Sequence, residues 1–151
     1  RPFRSETARY GEYSKAGEFV YDRPFLWGSK RTGPDLHRIG GKYPNKWHFD
    51  HMLDPTNTSP GSIMPAYPWM IEQELDNSDL VAKMKAMQTL GVPYTDEQVN
   101  NAVQDAMSQA DVIVADLAKN QVDVKSDREI IALIAYLQRL GTDIKATTTD
   151  K

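Results

Sequence analysis

The chain has no cysteine among its 151 residues. This absence excludes disulfide bonds, thiol catalysis and any metal site that needs a cysteine ligand. It also means that cysteine usage carries no information about the redox compartment of the protein. Any metal or cofactor bound by this chain must therefore be held by other side chains.

Long apolar runs and an excess of one charge are also missing. The longest apolar run, from Ile130 to Leu137, is far shorter than the roughly 20 residues that span a bilayer. The net charge is −3 and there is no block of basic residues, which argues against a nucleic-acid footprint. The chain opens at Arg1 without an initiating methionine or a signal-peptide pattern, so we expect a piece excised from a longer protein.

The residues that are present fit one small domain, with or without a large insertion. Hydrophobic residues make up 40% of the sequence, which is enough for a modest core. The sequence contains no glycine-rich nucleotide loop, no phosphate-binding loop and no Ser/His/Asp arrangement with supporting context. It therefore predicts a domain without an enzyme site of its own.

The first third of the chain has little periodicity. Residues 1–32 mix aromatic and charged side chains without a helical or alternating pattern, so we expect a long loop that leans on something else. Its cations are interpreted either as a solvated face or as a partner surface. A short helix is predicted over 45–53, opened by Pro44 at its first position and ended by Pro55. Its inward-facing residues are expected to be Trp47, Met52 and Leu53.

His48 and His51 lie three residues apart and so share one face of this helix. A His-x-x-His pair can bind a metal, and a metal-dependent enzyme is one alternative function. No third ligand has a persuasive spacing, so we expect a pair that faces solvent.

Two further helices are predicted before residue 120. The first covers 80–90 and ends at Gly91. Thr95 and Gln98 form a capping box that opens the second, which is predicted to continue to Leu117.

The last predicted helix opens at another capping box, Ser126 and Glu129, and closes at Gly141. Residues 142–151 are polar and are expected to fray. Methionines on the apolar stripes of these helices are expected to lie in the core: Met84, Met87 and Met107.

Met64 differs from those methionines. It lies in a segment that contains Pro60, Pro65 and Pro68, and it immediately precedes Pro65. A residue before proline is held in extended backbone, so Met64 cannot lie inside a helix. Two interpretations stay open: a methionine that packs a loop, or a thioether directed at haem iron, for which methionine is a common axial ligand.

Three features then follow one another in order: Gly33-Pro34-Asp35-Leu36, Met64-Pro65, and an apolar helix over 130–137. This order resembles a class I cytochrome c fold downstream of its haem-attachment motif. Longer phrases closely resemble the membrane-anchored monohaem subunit (subunit II, CcoO) of cbb-type cytochrome c oxidases. They are RPFRSE at 1–6, YGEYSKAGEFVYD at 10–22, WGSKRTGPDLHRIGGKY at 27–43, MPAYPW at 64–69 and TLGVPYT at 89–95.

The resemblance implies an all-α, class I cytochrome c-like domain that lacks its N-terminal helix and its haem-attachment segment. In that family a C-x-x-C-H segment and, further upstream, a transmembrane helix precede the part that resembles this chain. The implied organisation is one domain over 1–141 with a disordered tail over 142–151. Its parts are a subunit-contact region at 1–32, haem-pocket loops with a short helix at 33–69, inserted helices at 70–122 and the C-terminal helix at 126–141.

The resemblance also implies site residues. Met64 would be the distal iron ligand of haem c in the full-length protein, and the Pro34 carbonyl would accept a hydrogen bond from the proximal histidine. Gly33 would allow close approach to the haem, and Leu36 would line the pocket. The remaining expected cofactor contacts are Lys42 and Trp47 near a propionate and Tyr67 beside Met64.

The function implied is an electron relay rather than an enzyme by itself. Electrons would pass from the dihaem cytochrome subunit through a His/Met haem to catalytic subunit I, on the periplasmic side of the bacterial inner membrane. The chain itself would hold no haem covalently, would bind no nucleic acid, and would meet the membrane only through the absent N-terminal helix. The alternative is a non-haem helical module that binds a partner protein.

Overall fold

A computed structural model of the chain describes residue 8 and residues 14–25, 27 and 36–142. Its contacts divide the chain into two compact units, one formed by 1–42 with 137–151 and the other by 43–136. Within the described ranges the elements are helices, and the one pairing of extended backbone is an isolated bridge between Glu74 and Arg128. The predicted all-α class is confirmed.

The second unit contains the α-helices whose bounds the structure gives, and we number these in chain order. They are α1 (Asn45–Leu53), α2 (Pro55–Thr58), α3 (Leu80–Thr89), α4 (Asp96–Asn100), α5 (Ala102–Lys119) and α6 (Glu129–Arg139), whose last three residues belong to the first unit. A 3-10 helix over Pro68–Ile71 lies between α2 and α3. Helix α1 packs on α2 and α5, and the pairs α3/α4, α3/α5 and α4/α5 are also in contact.

The core of this unit forms where α1, α5 and α6 meet. Its buried members come from these three helices and the loop before α6: Phe49, Ile113, Leu117, Val124, Ile130, Ile131 and Ile134. Burying aliphatic side chains of this size stabilises a fold by about 1.5–3 kcal/mol each. One polar tie accompanies the core, because Asn45 Nδ2 donates to Asp116 Oδ2 at 2.9 Å and links α1 to α5.

Helix α1 has the predicted length but not all of the predicted details. Pro44 is its N-cap residue, with extended backbone, rather than its first helical residue. Pro55 does not simply end α1: it is the first residue of α2, which Asp54 caps by accepting a hydrogen bond from the Thr56 N–H at 3.0 Å. Leu53 is exposed, so its predicted inward orientation was wrong, whereas Met52 packs against the core.

The capping box at Thr95 is present in both directions. The Gln98 N–H donates to Thr95 Oγ1 at 3.2 Å, and the Thr95 N–H donates to Gln98 Oε1 at 2.9 Å. The helix that it opens is short, however, because the backbone leaves helical geometry at Asn101 before α5 begins. The prediction of one continuous helix from this box to Leu117 was wrong, because the helix is interrupted at Asn101.

Helix α6 begins at Glu129, two residues later than an N-cap at Ser126 would place its first residue. The preceding residues pair with the segment after the Pro68–Ile71 helix. The Leu75 N–H donates to the Asp127 carbonyl at 2.8 Å, and the Glu129 N–H donates to the Gln73 carbonyl at 3.0 Å. Tertiary pairing therefore replaces the predicted capping box.

The first unit is held by contacts between distant parts of the sequence. Arg38 makes a two-point ion pair with Glu18, at 2.8 and 2.9 Å, beside a 3-10 helix over Ala16–Phe19. The Gly40 N–H donates to the Leu140 carbonyl at 3.0 Å, and the Gly41 N–H donates to Gln138 Oε1 at 2.9 Å. These bonds attach the end of α6 to the residues that follow the 3-10 helix Leu36–Arg38.

Two further sequence predictions concern the outer surface. Met107 is 51% exposed, so its predicted place in the core was wrong, and Met84 and Met87 are half-buried. Among the described residues, no helix combines the length and apolarity needed to cross a membrane.

Candidate functional site

The segment that carries Met64 is extended and anchored at its downstream end. Residues 62–67 have no helical or strand assignment, as the three prolines predict. The Met64 N–H donates to Ser62 Oγ at 3.2 Å. Three residues later, the Tyr67 N–H donates to the Met52 carbonyl at 2.8 Å, which fixes the segment to the C-terminal end of α1.

Apolar side chains are exposed on this segment. Ile63, next to Met64, is 87% exposed, and Trp69 is also exposed. Tyr67 contacts Trp69 edge to face, with ring centroids 5.2 Å apart. A half-buried thioether flanked by exposed apolar side chains is suited to contact with an apolar ligand.

A column of aromatic rings lies along α1. Tyr43 stacks on Trp47 with centroids 4.1 Å apart, and Trp47 stacks on His51 with centroids 4.6 Å apart. The spacing of four residues places successive rings on one face of the helix. His51 Nδ1 also forms a hydrogen bond with Thr58 Oγ1 of α2. This column fixes the orientation of Trp47 and His51.

His48 is buried, which contradicts the predicted solvent-facing pair. It is 1% exposed, and Trp47 and Tyr43 contact its ring edge to face at 5.4 and 6.2 Å. Burial, followed by the nearby His51, lowers the pKa of His48, and burial lowers the pKa of His51. Both imidazoles are therefore neutral at pH 7.

The two histidines do not form a metal centre with other side chains of the described residues. Within those ranges no group of three or more His, Cys, Asp or Glu side chains could hold an ion.

The predicted site residues divide between the two units. Gly33 and Pro34 lie outside the described residues. In the first unit, Leu36 begins a 3-10 helix with its side chain exposed, and Lys42 is exposed in a turn. The second unit contains the other three, which are half-buried: Trp47, Met64 and Tyr67.

Sequence reasoning missed Phe49 and the burial of His48. Phe49 belongs to the core, and its spacing of three residues from Met52 was the available signal. The burial of His48 depends on Tyr43, which precedes the helix and so falls outside a periodicity analysis of α1.

An all-α chain that presents a methionine thioether from an extended, proline-fixed loop has the character of a cytochrome c-like domain. A family model described as cytochrome C oxidase, mono-heme subunit/FixO, matches residues 1–144. The chain belongs to this family, which confirms the resemblance drawn from its sequence phrases. Comparison with curated individual proteins gave no match.

Membership of this family defines the general biological role of the chain. The chain is part of the electron-transport machinery of a cbb-type cytochrome c oxidase, and its family carries haem. The chain has no cysteine and therefore no site of its own for covalent haem attachment.

Proposed function

We propose that this chain is the part of a monohaem oxidase subunit that completes the haem site and relays electrons, with Met64 as the distal iron ligand. Electrons enter from the dihaem cytochrome subunit and leave to catalytic subunit I. Oxygen reduction takes place elsewhere in the complex. The observation that carries the proposal is Met64 on its anchored, extended loop in a chain that matches the mono-haem family over 1–144.

The donor chemistry of the loop fits haem iron. A thioether is a soft ligand, and methionine with histidine is the ligand pair of c-type cytochromes with raised potentials. When bound, haem supplies one-electron redox chemistry. The chain contributes the sulfur atom, which favours the reduced iron, and the backbone that restrains that sulfur.

One steric restriction and two hydrogen bonds limit the movement of the Met64 backbone. Pro65 restricts its backbone to extended geometry, Ser62 accepts its N–H, and the Tyr67–Met52 bond fixes the downstream end of the segment. A ligand restrained in this way loses little conformational entropy when it coordinates. Ile63 supplies apolar surface that would exclude water beside the ligand.

The other predicted contacts belong to the same proposal. The Trp47 indole N–H is proposed to donate to a propionate, and Tyr67 to tune the environment of the Met64 sulfur. In the first unit, Leu36 is proposed to contact the haem and Lys42 to lie near a propionate. For Gly33 and Pro34 we propose close approach to the haem and acceptance of the N–H of the proximal histidine.

Docking to other oxidase subunits is proposed for residues 1–32 or for the helical segment 79–119. Several large apolar side chains of the second segment are exposed, as at an unpaired contact surface: Leu90, Tyr94, Met107 and Val112. We propose that the chain lies on the periplasmic side of the bacterial inner membrane. The family resemblance implies that electrons are delivered to the oxidase on that side.

Replacement of Met64 by alanine in the full-length, haem-loaded subunit tests the proposal. We expect the haem potential to fall and the sulfur-to-iron absorption band of the oxidised protein to disappear, because the variant lacks the thioether that favours the reduced iron. The matched control is Met107→Ala, which removes an exposed methionine of α5 and is expected to change neither property. An unchanged spectrum and potential in Met64→Ala would show that Met64 is not the ligand.

A further inference from the structure

A loop of the first unit, formed by residues 14–25 and Trp27, presents large apolar side chains to solvent. Val20 and Phe25 are 51% and 52% exposed, and Tyr21 and Trp27 are exposed as well. We call these four side chains the loop patch. The chain itself keeps them within at most about 25 Å of one another. Exposed apolar side chains that are concentrated in this way mark an interaction site.

Hydrogen bonds hold this loop in a defined shape. The Trp27 indole N–H donates to the Ser14 carbonyl at 3.1 Å and closes the loop at its base. Ser14 is buried. Arg23 Nη1 donates to the carbonyls of Val20 and Asp22 at 2.9 Å each. A surface whose shape is set in advance loses little conformational freedom when it binds, so the loop patch is suited to docking.

The charge of the loop indicates the kind of partner that it fits. Its two cations, Lys15 and Arg23, are balanced by two anions, Glu18 and Asp22. Anionic lipids and nucleic acids attract proteins through clusters of lysine and arginine, and the loop has no such excess. Aromatic residues and arginine are instead enriched at the centre of protein interfaces. The loop patch therefore fits an uncharged, apolar face of a protein.

The apolar character of the loop patch also indicates a permanent neighbour. Interfaces between permanently associated subunits are more apolar than those of transient complexes. The chain belongs to a family of subunits of the cytochrome c oxidase complex. Permanently bound protein partners are therefore part of its setting.

We propose that the loop patch docks on an uncharged, apolar face of another subunit of the oxidase. The inference rests on the proposed function, because it makes one of the two docking alternatives specific: the loop of residues 14–27 rather than the helical segment 79–119. Covering the loop patch removes its aromatic side chains from water and contributes to holding this chain in the complex.

Substitution of Phe25 in the full-length subunit, produced together with the other oxidase subunits, tests the inference. Phe25→Lys places a charge in the apolar contact, whereas Phe25→Leu keeps the position apolar. We expect the dissociation constant of the subunit from the oxidase to rise by about tenfold or more in Phe25→Lys and to stay close to the wild type in Phe25→Leu. Dilution followed by size-exclusion chromatography measures it.

Val112→Lys is the matched control, because it places the same charge on the exposed face of α5. We expect it to leave the dissociation constant close to the wild-type value. A wild-type haem absorption spectrum shows that each variant subunit is folded. An unchanged dissociation constant in Phe25→Lys, or an equal rise in Val112→Lys, would overturn the inference.

Photocrosslinking in the assembled oxidase does not require a variant that weakens binding. Phe25→benzoylphenylalanine should give, on illumination, a covalent product of this chain with another oxidase subunit, identified by mass spectrometry. Val112→benzoylphenylalanine should not give that product. A product of the Phe25 variant with lipid, with a second copy of this chain or within the chain itself would overturn the inference, as would the absence of any product.

Failure of this inference and failure of the electron relay are distinguishable. If the loop patch does not dock, the sulfur-to-iron band and its loss in Met64→Ala are unaffected. If Met64 is not the ligand, Met64→Ala keeps the wild-type spectrum, and the crosslink from position 25 still reports the contact between subunits.

Discussion

At the scale of single residues, burial keeps the two histidines of α1 neutral by lowering their pKa values. Spacing correctly indicates that His48 and His51 share a helix face. It does not indicate that Tyr43 and Thr58 also contact these rings, because the two residues lie before and after the helix. A pair expected to face solvent is consequently held neutral by burial, which lowers both pKa values.

The lowered histidine pKa values predict that acidification destabilises the chain. Between the folded-state pKa and the unfolded value of 6.5, the unfolded chain binds more protons, so the free energy of unfolding falls as pH falls. The contribution is fully present above about pH 6.5 and is lost toward the folded-state pKa. Urea unfolding of the 151-residue chain from about pH 5 to about pH 8 measures this slope.

Variants separate the histidine contribution from that of other groups. His48→Gln should reduce the slope between about pH 5 and about pH 6.5, and the double variant with His51→Gln should reduce it further. Carboxylates titrate mostly below this window and contribute little within it. A double variant with the wild-type slope would contradict the assignment.

At the scale of elements, local signals predicted helices well where they involved neighbouring residues. The box of Thr95 and Gln98 needs only four residues, and the structure contains both of its hydrogen bonds. The late start of α6 depends on tertiary contacts. The pairing of 73–75 with 127–129, for example, competes with a capping box at Ser126 and has no local sequence signature.

Helix α5 offers a matched pair of substitutions that tests the position of the core. Leu117 is completely buried, whereas Val112 on the same helix is 70% exposed. Leu117→Ala removes buried methyl groups and leaves a cavity, so we expect a loss of about 2–5 kcal/mol in the free energy of unfolding. Val112→Ala should change it by no more than about 0.5 kcal/mol. Urea unfolding at pH 7 measures both, and equal effects would contradict the observed orientation of α5.

At the scale of the whole molecule, resemblance carried information that periodicity did not. The ordered phrases predicted the cytochrome c-like class and the family, both of which are confirmed. The division into two units, with the end of α6 in the first, was not predicted. Contacts such as those between Gly40 and Leu140 join residues a hundred positions apart, and no local pattern reports them. The roles of Met64 and Pro34 stay predictions from the family.

The contact between Gly40 and the end of α6 gives the last prediction. A Cβ atom at Gly40 would lie 2.5 Å from the Gln138 carbonyl oxygen and 2.6 Å from that of Leu140. Because both neighbours are backbone atoms, Gly40→Ala must displace one of the two segments, and we expect a cost of about 1–3 kcal/mol. The amide protons of residues 40 and 41, which donate to Leu140 and Gln138, should then exchange faster with solvent.

Gly17→Ala is the matched control in the same unit, because a Cβ there meets nothing within 4 Å. In that variant the amides of residues 40 and 41 should keep their protection, as measured by hydrogen exchange residue by residue. If Gly40→Ala also left it unchanged, the close approach of these two segments would be wrong. The position would then be free to accept side chains, and the attachment of the end of α6 to the residues after Arg38 would need another explanation.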